Sequence, residues 1–167
     1  MTHSGADIAQ LLAAHGLRPS RALGQNFVAD PNTVRRIARL SGVAAGSRVL
    51  EIGAGLGSLT LALAETGATV VALETDRHLI PVLRSVVEPA GVEVVQGDAM
   101  TIDLAALLAQ RGGGPWSLVA NLPYNVATPL VLRALVEVPA VAHLLVMVQR
   151  EVGEPVSYTH LTLPTKA

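Results

Sequence analysis

Cysteine is absent from the chain of 167 residues, which excludes disulfides, thiolate catalysis and zinc sites built on cysteine. Half of the residues are apolar, yet no apolar run approaches the roughly 18 residues that a membrane span needs. The N-terminus has no basic region followed by an apolar segment, so we expect no secretory signal. These absences favour a cytoplasmic protein, and the length suffices for one domain with a substantial core.

Lysine is almost absent, and its one position is informative. The first 155 residues contain 11 arginines and no lysine, whereas Lys166 lies in the last dozen residues with one of the two tyrosines. The change in composition resembles translated sequencing-adapter read-through. It predicts a body of residues 1–154 and a non-native tail of residues 155–167, which is left out of the fold prediction.

The net charge of −1 conceals an uneven distribution. Residues 1–50 carry six arginines and two acids, whereas residues 51–110 carry eight acids and two arginines. A basic N-terminal segment beside an acidic middle is consistent with a nucleic-acid contact next to a cofactor pocket. Arg35, Arg36 and Arg39 could meet RNA phosphates, or they could equally line a solvated helix face.

Short apolar runs alternate with helical patterns along the chain. This alternation predicts a parallel sheet covered by helices on both faces, and right-handed crossovers make it a doubly wound α/β fold. Asp30 followed by Pro31 is typical of a helix N-cap with proline in the first helical position. We predict helices at residues 8–15, 31–40, 58–65, 77–87, 102–110 and 129–136, and strands at residues 48–52, 69–73, 92–95, 116–120 and 143–148.

A glycine-rich turn follows the first predicted strand. Gly53, Gly55 and Gly57 allow the backbone to turn into the next helix and to approach a ligand closely. The third glycine comes one residue earlier than in the NAD-type pattern, where Ser58 stands here. Alone, the turn indicates a nucleotide-containing ligand without identifying it.

Acidic residues end the next two predicted strands. A carboxylate at Glu74 can accept hydrogen bonds from both ribose hydroxyls, in NAD and S-adenosylmethionine alike. A carboxylate at Asp98 can accept a hydrogen bond from the adenine amino group, while Ala99 and Met100 frame the base. Because ligands of such sheets lie beyond the carboxyl ends of the strands, all these residues are predicted to share one site.

The tetrapeptide Asn121-Leu122-Pro123-Tyr124 follows the apolar run at residues 118–120. The Asn121 side-chain oxygen and the Leu122 carbonyl can accept hydrogen bonds from both N–H groups of adenine N6, drawing that nitrogen toward tetrahedral geometry. Pro123 stiffens the loop, and Tyr124 can stack on the base for about 1–3 kcal/mol. No strong base is needed, because the proton can leave after methyl transfer. These four residues are the predicted catalytic set.

Several segments together resemble the bacterial 16S rRNA adenine dimethyltransferase family over about residue 10 to Glu154. The segments are residues 21–27 (Arg-Ala-Leu-Gly-Gln-Asn-Phe), 51–57, 74–76, 97–100 and 121–129. The resemblance implies a Rossmann-like class I methyltransferase sheet and N6-dimethylation of two adjacent adenines in a small-subunit rRNA hairpin. It also implies S-adenosylmethionine as donor, no metal, and a monomer that acts on small-subunit rRNA or a 30S assembly intermediate, not on a membrane.

The same resemblance implies which residues bind the donor, with Val28 standing where leucine is usual. They are Asn26, Val28, Gly53, Glu74, Asp98 and Asn121.

The family continues with two further strands and a helical C-terminal domain that helps to hold RNA, and neither follows Glu154 in this sequence. We therefore expect a sheet that is truncated after the fifth strand, with the outer edge of that strand unpaired. Weak donor binding, poor solubility and little or no activity on ribosomal particles are expected to result.

Other functions fit the sequence less well. The erythromycin-resistance methylases of 23S rRNA are the nearest rivals, but the segments at residues 97–100 and 125–129 argue against them. A nucleic-acid-binding assembly or transcription factor that does not need catalysis remains open. An NAD-dependent enzyme has the wrong glycine spacing. Trp116 is predicted in the core, and Phe27 either packs or contacts the ligand. The histidines at 3, 15, 78 and 143 form no metal spacing.

Overall fold

A six-stranded sheet forms the centre of the protein in the computed structural model, which describes residues 2–18, 30–149 and 157–162. The spatial order of the strands is β3-β2-β1-β4-β5-β6. The strands are β1 (Arg48–Ile52), β2 (Thr69–Glu74), β3 (Glu93–Gln96), β4 (Trp116–Pro123), β5 (Val141–Gln149) and β6 (Ser157–Thr162).

The first five strands are parallel, and their order reverses between β1 and β4. The chain moves outward from β1 through β2 to β3, then returns to β4 on the other side of β1. Such a reversal leaves a crevice at the carboxyl ends of the two central strands, where doubly wound sheets bind ligands. The predicted doubly wound α/β fold is therefore confirmed.

Helices cover both faces of the sheet, as the continuous apolar strands predict. Val49 and Leu50 point to opposite faces because side chains alternate along a strand, and each is fully buried in a different apolar cluster. The helices are α1 (Gly5–Ala14), α2 (Pro31–Leu40), α3 (Ser58–Ala64), α4 (Ile80–Val87), α5 (Leu104–Ala109) and α6 (Tyr124–Glu137).

The helices α2, α3 and α4 pack on the Val49 face, and α5 and α6 pack on the Leu50 face. Trp116 is 1% exposed in the second cluster, which confirms its predicted place in the core. Helix α1 packs through Ile8 and Leu12 against a third, smaller cluster. None of the helices in the described ranges is long and apolar enough to cross a membrane.

Local capping explains where two of the helices begin. The Asp30 side chain accepts hydrogen bonds from the backbone N–H groups of Asn32 and Thr33, both at 3.1 Å, as predicted for α2. Helix α1 begins three residues earlier than predicted, because Ser4 and Asp7 form a reciprocal capping box. The helices predicted from residues 77 and 102 begin later, at Ile80 and Leu104.

The largest difference from the predicted elements lies between β4 and α6. Strand β4 continues through the tetrapeptide to Pro123, because Asn121 and Leu122 pair with Met147 and Val148 of β5. Helix α6 begins at Tyr124, so Pro129 lies inside it and does not start it. The tetrapeptide is thus the end of a strand and the first residue of a helix, not a loop.

The expectation that the outer edge of β5 is unpaired, and that the sheet ends at this strand, is wrong. Strand β6 pairs antiparallel with β5, from His143 opposite Thr162 to Val148 opposite Ser157. A free strand edge is a template of N–H and C=O groups, and β6 occupies it. Because edge pairing uses backbone groups, it does not depend on the origin of residues 155–167.

Candidate active site

The carboxyl ends of the parallel strands β1, β2, β3 and β4 lie at one edge of the sheet. Ile52 of β1 pairs with Leu73 of β2 and Ala120 of β4, and Glu74 pairs with Gln96 of β3. The residue that follows each pair therefore lies at a similar height. This register brings four of the predicted donor-binding residues to one edge, namely Gly53, Glu74, Asp98 and Asn121.

The glycine turn adopts a backbone that other residues rarely take. Gly53 and Gly57 have φ values of 79° and 86°, in the left-handed region that favours glycine. A β-carbon at Gly57 would lie 2.5 Å from Val87 Cγ1, so the turn packs directly against α4. The Gly53 N–H donates to the Leu73 carbonyl at 2.9 Å, which ties the turn to β2.

The glycine turn also touches the tetrapeptide. A β-carbon at Gly53 would lie 3.3 Å from the Asn121 carbonyl oxygen and 3.1 Å from Leu122 Cδ2. These contacts are tighter than is usual for a β-carbon, so glycine lets the turn and the end of β4 approach closely without strain. A ligand lying over the turn is consequently next to the residues predicted to hold the target base.

Glu74 has a second role that the sequence did not suggest. Its carboxylate is 6% exposed and accepts hydrogen bonds from the Gly55 N–H at 2.7 Å and the Asp76 N–H at 2.9 Å. One bond reaches each oxygen, so both oxygens keep lone pairs for ligand hydroxyls. The side chain thus fixes the glycine turn and can still receive a ribose.

Asp98 lies in a turn that begins after β3. Its Oδ1 accepts a hydrogen bond from the Met100 N–H at 2.9 Å. Within the described part of the chain its Oδ2 has no hydrogen-bond partner, and the side chain is exposed. Ala99 is buried, whereas Met100 is 37% exposed. The carboxylate can accept a hydrogen bond from an amino group, and the Met100 side chain is accessible to a flat ring.

The tetrapeptide presents both polar and aromatic groups. The Asn121 side chain is half-buried and has no hydrogen-bond partner among the described residues. Leu122 is buried, and Pro123 is the N-cap of α6. The Tyr124 side chain is 66% exposed, so its ring has a free face for stacking.

Glu51 is a buried carboxyl group that the sequence prediction overlooked. It is 1% exposed in β1, opposite Ala72 and Val119 of the flanking strands. Burial raises the pKa of Glu51 to about 8; the Thr60 hydroxyl opposes this rise and the Glu74 carboxylate adds to it. The group is therefore mostly neutral at pH 7. The sequence did contain a signal for this group, because Glu51 is an acid inside an otherwise apolar strand.

Two predicted donor-binding residues, Asn26 and Val28, lie outside the described residues, as do Phe27 and the motif at residues 21–27. Their predicted roles rest on the sequence. Among the described residues, no group of three His, Asp or Glu side chains could hold a metal ion.

Known proteins resemble this chain over most of its length. The family model of ribosomal RNA adenine dimethylase matches residues 17–156. Ribosomal RNA small subunit methyltransferase A of Magnetococcus marinus is 48% identical over 157 residues, covering 92% of this chain and 55% of the relative. The chain thus spans about half the length of the curated relatives it matches.

Solved structures share the fold. The 23S rRNA methyltransferase ErmE has a TM-score of 0.65 and 29% identity, covering 75% of this chain and 49% of ErmE. The N-terminal domain of EvdMO1 with SAH bound has a TM-score of 0.52 and 28% identity, covering 71% of this chain and 49% of that one. The family match covers most of the sequence, and the chain therefore belongs to the ribosomal RNA adenine dimethylase family.

Proposed function

We propose that this chain carries the catalytic site of an S-adenosylmethionine-dependent enzyme that dimethylates N6 of two adjacent adenines in a small-subunit rRNA hairpin. The observation that carries the proposal is the close approach of Gly53 to Asn121 and Leu122. This contact places the glycine turn, which is typical of nucleotide-binding sites, beside the end of β4. There the Asn121 side-chain oxygen and the Leu122 carbonyl are the acceptors that an exocyclic amino group needs. We also propose that the protein is cytoplasmic and monomeric.

The donor half of the site uses the edge formed by β1, β2 and β3. Glu74 accepts hydrogen bonds from the ribose hydroxyls and Asp98 from the adenine amino group, while the Gly53 turn faces the amino-acid end of the donor. When bound, S-adenosylmethionine supplies a sulfonium-activated methyl group. The related structure with bound SAH supports this choice, because SAH is what remains of the donor after methyl transfer. Asn26 and Val28 complete the proposed donor set.

The acceptor half uses the end of β4 and the start of α6. The Asn121 side-chain oxygen and the Leu122 carbonyl accept the two N6–H groups, so the nitrogen lone pair is directed away from the ring. Tyr124 stacks on the base, and Pro123 fixes the turn into α6. Positioning and preorganised dipoles then supply most of the rate increase.

Two observations bear on which RNA is the substrate. The curated relatives at 45–48% identity are named as small-subunit methyltransferases, which favours small-subunit rRNA. The likeness to ErmE at 29% identity makes a 23S rRNA adenine the second candidate. An assembly role that does not need catalysis is distinguished from both by Asn121→Ala, which it should tolerate.

The test uses the whole chain with unmethylated 30S and 50S subunits and radiolabelled S-adenosylmethionine. Nucleoside mass spectrometry should detect N6-methylated adenosine in 16S rRNA, in low yield, and none with Asn121→Ala. Methylation of 23S rRNA alone would support the second candidate. Failure of the chain to bind SAH, measured by calorimetry, would overturn the proposed function.

A further inference from the structure

Arg133 lies on α6, nine residues after Tyr124, and its side chain is only 16% exposed. Its guanidinium donates one hydrogen bond to the Ala99 carbonyl and another to the Ile102 carbonyl at 2.6 Å. Its Nε donates to Glu137 Oε2 at 2.8 Å. The Arg133 side chain thus links α6, the helix that follows β4, by hydrogen bonds to the turn that follows β3.

The fastened turn is the one that positions Asp98. The Asp98 carbonyl accepts hydrogen bonds from the N–H groups of Thr101 and Ile102, at 3.0 and 2.9 Å. Its carboxylate accepts a third from Met100. Arg133 binds two carbonyls of the same turn, so it contacts the backbone on which the Asp98 side chain is mounted.

The turn also packs against α6 through apolar side chains. Ala99 is buried in the same cluster as Ala127, Leu130 and Ala134 of α6, and Ile102 packs against that cluster. Hydrogen bonds from a planar guanidinium to two carbonyls are directional, and a lysine ammonium can replace only part of this pair. The polar contacts therefore add a directional constraint on the turn to the apolar packing.

We propose that Arg133 is a positioning residue that couples the adenine end of the donor site to the helix bearing Tyr124. By holding the carbonyls of Ala99 and Ile102, it aligns the Asp98 carboxylate with the tetrapeptide. This inference rests on the proposed function, because Asp98 is taken to receive the adenine amino group.

The test measures the Kd of SAH by calorimetry for the whole chain and its variants. Arg133→Ala should weaken SAH binding about tenfold, and Arg133→Lys should restore part of the loss. Arg84→Ala is the matched control, because Arg84 also pairs with a glutamate four residues later and contacts a carbonyl, that of Val94, but does not touch the Asp98 turn. It should change the Kd less than twofold.

A double-mutant cycle separates positioning from general damage. If Arg133 acts through Asp98, the penalty of Arg133→Ala should be at least threefold smaller in an Asp98→Ala background than in the parent. The coupling is overturned if the parent binds SAH but Arg133→Ala does not weaken this binding. It is also overturned if the Arg133→Ala penalty falls by less than threefold in the Asp98→Ala background. Either result leaves the proposed function intact. A parent that does not bind SAH overturns both. If Arg133→Ala does not fold, Arg133→Lys takes its place in the cycle.

Discussion

Glu51 is a carboxyl group in the middle of an apolar layer, and its charge state links stability to pH. Its pKa of about 8 in the folded protein is above its ordinary value of 4.5. Between these values the folded state holds a proton that the unfolded state has lost. The free energy of unfolding therefore falls as pH rises through this range, by roughly 1.4 kcal/mol per unit, and levels off above pH 8.

Glu51→Gln keeps the shape of the side chain and removes the titration. We expect the variant to lack this pH dependence, so its stability relative to the parent should increase steadily between pH 5 and pH 8. Urea unfolding at several pH values measures the effect. Glu93→Gln is the control of opposite sign, because the Arg111 contact lowers the pKa of Glu93. It should change the slope of the profile only at acid pH and leave the slope between pH 5 and pH 8 as in the parent. Parallel pH profiles for the parent and Glu51→Gln would contradict the assignment.

Tyr124 tests the acceptor half of the site at the level of one side chain. Its ring is exposed at the start of α6, so removing it should not disturb the core. Tyr124→Ala should weaken binding of an adenine-containing RNA hairpin by roughly 1–3 kcal/mol, because stacking is lost. Tyr124→Phe keeps the ring and should bind as the parent does. Fluorescence anisotropy with a labelled hairpin measures both, and equal losses in the two variants would show that the hydroxyl matters rather than stacking.

Among the elements, local signals predicted β1 and α2 well. The apolar run at residues 48–52 and the Asp30 cap with Pro31 are short-range features, and both elements have the predicted bounds. The end of β4 and the start of α6 depend instead on pairing with β5, which is distant in sequence. Pro129 suggested a helix start, but the helix begins five residues earlier, at Tyr124, directly after the extended strand.

The glycine turn contacts the end of β4 through Gly53, and Gly53→Ala tests the role of this contact. The substitution forces a β-carbon into the left-handed region and against the Asn121 carbonyl. We expect a stability loss of roughly 1–2 kcal/mol from the backbone and an additional loss of SAH affinity.

Gly91→Ala is the matched control, since Gly91 has the same φ of 79° but nothing within 4 Å of an added β-carbon. It should lower the thermal unfolding temperature without changing the Kd of SAH. If both variants bind SAH alike, the contact of the turn with β4 has no role in binding.

Across the whole molecule, the sequence predicted which residues gather at the site better than it predicted what holds them there. Gly53, Glu74, Asp98 and Asn121 each follow an apolar run, so strand order alone places them together. The contacts of Arg133 with Ala99 and Ile102 join residues more than 30 apart, and no local pattern marks them. Long-range polar contacts of this kind become visible only once the packing is known.

The outer edge of the sheet is covered by β6, which pairs with β5. Removing residues 155–167 would delete β6 and leave the N–H and C=O groups of β5 without their antiparallel partner. The exposed side chains of Leu132, Leu135 and Val136 on α6 add an apolar surface that the parent and the truncated chain share. The difference between the two therefore isolates the effect of the strand edge.

We expect the truncated chain to self-associate at concentrations where the parent does not, because an unpaired edge strand pairs readily with another copy. Sedimentation velocity at several concentrations measures this. A control of the parent's length, with residues 157–162 replaced by glycine and serine, should behave like the truncated chain, since glycine-rich segments pair poorly as strands. If this control remains monomeric while the truncated chain associates, then chain length rather than strand pairing protects the edge.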